Sequence, residues 1–434
     1  MLEVVTGPLK IVWHLLSSYW WAVAPFLFGF GAYISWMSFK QQEYLASLKW
    51  VLLEIKPPPD VEKSPKIAEN IFSGLHTAYI SPKTWKARFF KGEVQDWFSF
   101  EIVGINSEMR FYVRTLEGYK DLVQNLIFSQ YSEAEIKEVP DYIDILPKYL
   151  PDDEYDIWGT ELVFTKPDAY PIKTYPEFEE ESGGREAETK RTDPLSPLAE
   201  QISTLEPGEF ILLQLTLRST GGAWVKDAQV EIDKMLGKEV KIEPDFLTKT
   251  ADAVAGGLAA ILPGGGATAE PKREERKEEP NPMKLTSGQR KVLEAVENKL
   301  AKLGFKAGYR FIYVGRKETF HRSHISGIVG MFKQLYSNNL NSFKPNSLTM
   351  THSRGWMPWL FPSDKGFRAD SIIYSKKRKL FHDYRSRAFV KKFVMLNTEE
   401  LATLWHLPGA GIKAPLFPRV EAKKGQPPAG LPMK

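Results

Sequence analysis

The hydrophobic residues of this chain change their spacing several times, and each change predicts a structural element. The first run, Ile11–Phe39, carries no Asp, Glu, Lys or Arg and is rich in Trp, Phe, Leu and Ala. A bilayer core of roughly 30 Å needs about 20 apolar residues in a helix, so the run predicts one transmembrane helix. A cleaved signal peptide would have a shorter apolar core, of ~7–15 residues.

The charges on either side of this run predict its orientation. Only Lys10 among basic side chains precedes it, whereas Lys40, Lys49 and Lys56 follow it. The positive-inside rule then favours a cytoplasmic position for the residues that follow. We therefore expect a single-pass protein of the cell inner membrane with the bulk of the chain in the cytoplasm.

The pattern after the apolar run predicts a first α+β domain at residues 46–170, after a membrane anchor at 1–45. Strand patterns alternate with helix patterns in the order βαββαβ, which is typical of a ferredoxin-like unit. The predicted elements are a strand at 50–55, a helix after Ser64, a hairpin at 97–113, a helix at 116–127 and a strand at 134–139. A further strand at 161–164 is expected to be an edge element.

A second α+β domain is predicted at residues 201–420, after an acidic linker at 171–200. Its strands are expected at 210–217 and 309–314, with helices between and after them. An Ala/Gly-rich and charged insertion at about 245–284 predicts disorder, and 421–434 a flexible tail. The expected fold class is α+β: an N-terminal transmembrane helix followed by two ferredoxin-like (βαββαβ-type) domains, the second with a disordered insertion.

Charge is divided unevenly along the chain. Up to Met283 there are 30 Lys and Arg against 45 Asp and Glu, and from Lys284 onward 28 against 9. The basic part predicts contact with something anionic: nucleic acid, lipid headgroups or an acidic protein. Attraction between the two parts of the chain is an equally good explanation of the charge alone.

The densest basic stretch interleaves cations with aromatic residues, and we expect it to be a contact surface. Cations can hold a phosphate backbone while aromatic rings stack on bases. A solvated surface, or a docking face for an acidic partner, would have the same composition. The residues of this predicted contact surface are Lys376, Lys377, Arg378, Lys379, Arg385, Arg387, Lys391 and Lys392.

Candidate catalytic chemistry is sparse. The chain has no cysteine, which excludes disulfides, thiolate metal sites and cysteine nucleophiles, and it has no P-loop motif. His321 and His324, with His352, make only a weak metal motif. We therefore expect no enzyme activity, no cofactor and no metal site. The competing hypothesis is a hydrolase whose site has no recognisable motif.

Several runs of the sequence resemble a known module. They are Leu52–Lys56 with Glu62–Pro65, Phe111–Arg114, Asp193–Leu195 with Leu205–Glu209, and Leu396–Leu404. In these runs the chain is similar to the membrane-anchored N-terminal module of type IV secretion or conjugation ATPase-like proteins of candidate-phyla bacteria. The resemblance implies a place in a secretion or DNA-transfer apparatus, with a P-loop ATPase encoded separately as a partner.

These observations favour a single-span membrane scaffold or adaptor. Its expected partners are the membrane, a separate cytoplasmic ATPase, nucleic-acid cargo and a second copy of the chain. Two alternatives stay open at this point. One is a membrane-tethered hydrolase, and the other is a protein whose basic part binds the surface of anionic lipid.

Overall fold

In a computed structural model, the chain is described at residues 2–58, 64–78, 84–181, 193–236, 285–352 and 369–408. Nine strands of these residues form one antiparallel sheet. The strands are β1 Trp50–Lys56, β2 Phe98–Ile105, β3 Glu108–Leu116, β4 Glu135–Glu138, β5 Tyr155–Phe164, β6 Phe210–Ser219, β7 Gly304–Arg316, β8 Phe343–Pro345 and β9 Val394–Asn397. Their order across the sheet is β4-β1-β3-β2-β6-β7-β5-β8, and β9 pairs with β7.

Helices cover both faces of this sheet. They are α1 Leu2–Ser47, α2 Lys66–Leu75, α3 Trp85–Phe90, α4 Lys120–Gln130, α5 Tyr175–Glu181, α6 Ser196–Ser203, α7 Ala223–Met235, α8 Ser287–Leu300, α9 Arg322–Gln334, α10 Ala369–Arg385 and α11 Thr398–Leu404. Side-chain capping fixes several boundaries. Thr286 and Asn397 each form a capping box, at the start of α8 and α11, which satisfies backbone donors at these helix ends.

The two faces of the sheet bury different cores because side chains alternate along each strand. On the first face, odd-numbered residues of β6 and β7 such as Leu213 and Phe311 pack with α2, α4, α6 and α11. On the second face, Leu212 and Ile312 pack with residues 142–150 and with Leu380 of α10. The second face is the one that carries the polar side chains described below.

The tight turn between β2 and β3 agrees with the predicted hairpin. Asn106 and Ser107 both adopt positive φ angles, of 50° and 63°. Two successive positive φ angles give the turn whose twist matches that of the flanking strands, and Asn tolerates this conformation well.

The predicted transmembrane helix, and with it the single-pass inner-membrane localisation, is wrong. Residues 2–47 form one helix, but no helix in the described part of the chain is long and apolar enough to cross a membrane. The run Ile11–Phe39 carries no acidic or basic side chain apart from a histidine, but this does not make it strongly apolar. Trp, Tyr, Ser and Gly occur repeatedly in the run, and these residues favour a hydrocarbon core far less than Leu, Ile or Val do.

The prediction of two ferredoxin-like sheets is also corrected, although the fold is α+β. The first four strands have the order β4-β1-β3-β2, which a ferredoxin-like unit would give, but β2 also pairs with β6 over its whole length. β5, expected as an edge of the first domain, lies between β7 and β8. The predicted insertion and tail, at 245–284 and 421–434, lie outside the described residues.

Candidate functional site: a cationic cleft beside a buried polar row

A row of polar side chains crosses the second face of the sheet. Each member stands opposite the next on a neighbouring strand, and cross-strand partners share one face. We call this set the polar row; in sheet order its members are Glu54, Tyr112, Glu101, Gln214, Arg310 and Glu161. Four of them, on adjacent strands β2, β6, β7 and β5, are buried polar or charged residues.

Every strong charge in the centre of this row has a partner. The Arg310 guanidinium donates to Glu161 Oε1 at 3.0 Å and to Gln214 Oε1 at 2.6 Å. Gln214 in turn donates to Glu101 Oε1 at 3.2 Å. A buried charge without such partners would be strongly destabilising, so this pairing is what makes the polar row compatible with folding.

Arg387 enters the polar row from the loop that follows α10. Its Nε donates to Glu101 Oε1 at 3.0 Å and its Nη2 to Asp141 Oδ1 at 2.7 Å. Burial opposes the charge of Arg387, but Glu101, Tyr142 and Asp141 together outweigh burial and raise its pKa well above the usual value. Its backbone has a φ of 52°, and its carbonyl accepts a hydrogen bond from Trp97 Nε1 at 2.9 Å. The loop is therefore fixed to the sheet at this residue.

Beside the polar row, on the same sheet face, lies a cleft of about 1190 Å³. Its walls are the C-terminal part of α1, the segment from Arg88 to Trp97 and the loop from Ser386 to Lys391. Its floor is formed by one end of β3, β6 and β7. We call it the cationic cleft because of five lining residues: Arg88, Arg114, Arg218, Lys306 and Lys391.

Arg218 is the central cation of the cleft. Its guanidinium lies between two aromatic rings, 4.9 Å from the Trp97 centroid and 4.0 Å from that of Phe389. It stands directly opposite Lys306 in the β6–β7 register, an arrangement of like charges that destabilises a sheet. Burial lowers the pKa of Arg218 to about 10.

The hydrogen-bonding groups of Arg218 are not used within the described chain. Its Nε is buried without an acceptor, and no described residue accepts a hydrogen bond from its guanidinium. The charge of Asp96 attracts Arg218 without an ion pair, and Asp96 accepts a hydrogen bond from Tyr119 Oη at 3.2 Å. The guanidinium of Arg218 thus lines the cleft without a hydrogen-bond acceptor among the described residues.

Arg114 repeats this arrangement on β3. Its guanidinium lies 4.7 Å from the ring centroid of Trp50, and its Nη1 donates to Ser386 O at 3.2 Å. Burial, followed by repulsion from Arg387, lowers the pKa of Arg114 to about 10. Two half-buried guanidinium groups therefore line one cleft, each held against the face of a tryptophan.

Acidic groups do not balance these cations. The only carboxylate in the described lining is that of Glu93. Among described residues, none of the five cations has a carboxylate oxygen within 4.0 Å, the distance that defines an ion pair. The cleft therefore concentrates positive potential, and its aromatic walls lower the local dielectric, which strengthens attraction of an anion.

The structure distributes the predicted contact surface over several environments. Four members pair with internal carboxylates: Lys377 with Asp156, Lys379 with Asp383, Arg385 with Asp144, and Arg387 with Glu101 and Asp141. Lys376 donates to Ser347 O at 2.9 Å, and Arg378 lies against the rings of Tyr149 and Tyr374. Lys391 lines the cationic cleft, and its exposed neighbour Lys392 does not.

The histidines of the weak metal motif lie apart from the cleft. The rings of His321 and His324 are 6.1 Å apart, and His324 contacts Gln201 at 2.6 Å and Glu209 at 3.4 Å. His352 is exposed. In the ranges that the structure describes, no group of three or more His, Asp or Glu residues could hold a metal ion.

Comparison with known proteins gives a family. A family model described as a domain of unknown function, DUF8128, matches residues 37–416, which is most of the chain. The chain belongs to the DUF8128 family. No curated protein matches it. The DUF8128 description assigns no activity, ligand or partner, so the resemblance to secretion ATPase modules stays a prediction.

Both the cleft and the polar row of this DUF8128 chain contain residues that the sequence alone did not single out. Four of these residues each lie in a mostly apolar strand, with the side chain on the sheet face that carries other polar residues. They are Arg114, Arg218, Arg310 and Glu101. A charged residue flanked by apolar residues in a strand was the available signal. Its meaning depended on which strands pair, because the neighbours across the sheet are distant in sequence.

Proposed function

We propose that the chain is a nucleic-acid-binding module and that the cationic cleft holds the phosphate backbone. The observation that carries this proposal is Arg218. It faces Lys306 across the sheet, and among the described residues it has neither an ion-pair partner within 4.0 Å nor a hydrogen-bond acceptor. An arrangement that destabilises the free protein becomes favourable when a phosphate lies between the two cations.

The rest of the lining supports a backbone-binding role. Phosphate contacts come mainly from Arg and Lys, and they need no particular base. Arg88 and Lys391 extend the positive lining beyond the central pair of Arg218 and Arg114. Glu93 stands as the single carboxylate among donors and aromatic rings, so the lining is suited to holding an anion and offers little acid–base chemistry.

The proposed role is therefore recruitment of a ligand. In this role the polar row keeps the sheet and the loop at Arg387 rigid, and the cleft presents cations on that rigid frame. A scaffold of this kind would bring nucleic-acid cargo to a partner such as the ATPase that the sequence resemblance implies.

The test is fluorescence anisotropy with the full chain and a labelled oligothymidylate of about 20 nucleotides, at several salt concentrations. Each phosphate neutralised on a single strand contributes about 0.7 to the slope of log K against log salt. Five cations predict a slope of up to about −3.5. Arg218→Met should weaken binding and reduce the slope by about 0.7.

Arg316→Met is the matched control. Arg316 also lies on a strand of this sheet, but it pairs with Glu154 at 3.1 Å and does not line the cleft. Both variants lose one positive charge, so net charge alone predicts equal effects. Equal weakening in both, or binding that does not depend on salt, would contradict the proposal.

A further inference from the structure

Three aromatic rings of α1 and α3, the helices that also supply residues to the cleft lining, form a column. Tyr33 of α1 stacks on Phe89 of α3 with a centroid distance of 6.0 Å and an interplanar angle of 20°. Phe89 stacks on Trp85 at 4.9 Å and 12°. We call Tyr33, Phe89 and Trp85 the ring column. Its three planes are nearly parallel, and Trp85 is its last member.

The ring column is fixed in place from behind. Trp36 Nε1 donates to Phe89 O at 3.1 Å, and the Trp36 ring lies 6.2 Å from that of Phe89. Phe90 packs edge-on against both Trp85 and Phe89. Trp85 nevertheless stays 64% exposed. A rigid, exposed indole at the end of a stack is a surface on which a further planar ring can lie.

The ring column is next to the phosphate-binding cations. Arg88 lines the cleft and is three residues after Trp85 on α3. Residues three apart on a helix are neighbours, with Cβ atoms about 5–6 Å apart. Trp85 therefore lies one helical turn from a lining cation, and Lys86 adds positive charge on the same helix.

We propose that the ligand of the cationic cleft is single-stranded nucleic acid and that one of its bases stacks on Trp85. This inference rests on the proposed function of the cleft. Phosphates on Arg218 and Arg114 place the strand in the cleft, and a neighbouring base extends the ring column. Bases in a duplex are already stacked on one another, so only an unpaired base can use the exposed indole.

The inference separates three probes of similar charge. They are an oligothymidylate, an abasic single strand of the same length, and a duplex of half that length, so that each carries about the same number of phosphates. Base–aromatic stacking is worth ~1–3 kcal/mol, which converts to about 5- to 150-fold in affinity. Trp85→Leu should weaken binding of the oligothymidylate by this factor. Binding of the abasic strand and the duplex should stay nearly unchanged, because their contacts are phosphate contacts.

Two control variants accompany this test. Trp85→Phe keeps a planar ring and should recover most of the affinity that Trp85→Leu loses. Tyr149→Leu removes another exposed aromatic residue, one that also lies beside an arginine, Arg378, but outside the cleft. It should leave the affinity for all three probes unchanged.

The outcomes distinguish this inference from the proposed function. If Arg218→Met weakens all three probes while Trp85→Leu weakens none, or weakens all equally, the cleft binds phosphate and the stacking inference is overturned. If Arg218→Met weakens no probe, the proposed function itself fails. Tight binding of a polyglutamate peptide with weak binding of all three nucleic acids would instead assign the cleft to an acidic protein.

Discussion

Two pairs of arginines on the same sheet face differ in how their charge is balanced. Arg387 and Arg310 are almost fully buried, and carboxylates of Glu101, Asp141 and Glu161 surround them. Arg218 and Arg114 are only half-buried, yet they have no ion-pair partner among described residues. The more deeply buried pair is the one whose charge is satisfied.

This difference indicates that the paired arginines stabilise the fold and that the unpaired arginines are available to bind a ligand. Breaking a buried ion pair leaves an uncompensated charge, so the paired arginines hold the fold together. An unpaired cation that burial disfavours contributes nothing comparable to the free protein. Residues of functional sites often lower the stability of the free protein. An unpaired cation of this kind is explained if a bound ligand supplies the missing anion.

The largest expected effect on stability comes from removing one of the buried, ion-paired arginines. Arg387→Met leaves Glu101 buried without its main cation, and we expect the free energy of unfolding to fall by about 3–5 kcal/mol. Chemical denaturation of both proteins measures this loss. Lys379→Met is the control, since Lys379 is exposed and pairs with Asp383 at the surface. It should change stability by about 0.5 kcal/mol or less. A loss that small in Arg387→Met would contradict a structural role for the pair.

A second buried ion pair, between α8 and α11, sharpens the comparison because it lies outside the polar row. Lys299 Nζ lies 3.0 Å from Glu400 Oε2, and both side chains are fully buried. Lys299→Met should lower the free energy of unfolding by about 3 kcal/mol. Lys302→Met removes a half-buried cation of the same region and should cost about 1 kcal/mol.

The stability of the Lys299→Met variant should depend on pH differently from that of the parent chain. Burial raises the pKa of Glu400 already in the native protein. A carboxyl group with a raised native pKa takes up a proton more readily in the folded state, so stability rises as pH falls through that pKa. Loss of Lys299 raises the pKa further. The stability difference between Lys299→Met and the parent chain should therefore narrow from pH 7 to pH 5, and a constant difference would argue that Glu400 stays charged.

The smallest effect separates two adjacent lysines of the basic stretch. Lys391 lines the cationic cleft and Lys392 does not, although both are exposed. In the anisotropy assay, Lys391→Met should reduce the salt slope by about 0.7, and Lys392→Met should reduce it by less. If Lys392→Met has the larger effect, the strand follows a different path from the one proposed.

Sequence patterns predicted local elements better than the pairing of distant ones. The β2–β3 hairpin depends on residues close together in the chain, so the spacing of apolar residues was sufficient to find it. The β2–β6 pairing joins Phe98 with Leu217. No local pattern records that contact, and it converts two expected sheets into one.

The candidate site depended on the same long-range pairing. A dense basic run such as Lys376–Lys379 is conspicuous in sequence, but its members are divided between internal carboxylates, a carbonyl and aromatic rings. Arg114 and Arg218 are isolated in their strands, and they meet at one cleft only because the sheet brings β3 and β6 to the same end. The number of basic residues in a stretch of sequence therefore did not predict where unpaired cations come together in the structure.

The central claim is that Arg218 serves the ligand and not the fold. The most direct measurement is the free energy of unfolding of Arg218→Met, determined without ligand and with saturating oligothymidylate. Arg218 stays charged at neutral pH because its pKa is about 10, and burial makes that charge less favourable than in water. We therefore predict that the variant without ligand is as stable as the parent chain or more stable by about 1 kcal/mol. Ligand should stabilise the parent chain and stabilise the variant much less. A variant that is destabilised without ligand, and stabilised by ligand as much as the parent, would show that Arg218 is a structural residue and would contradict the claim.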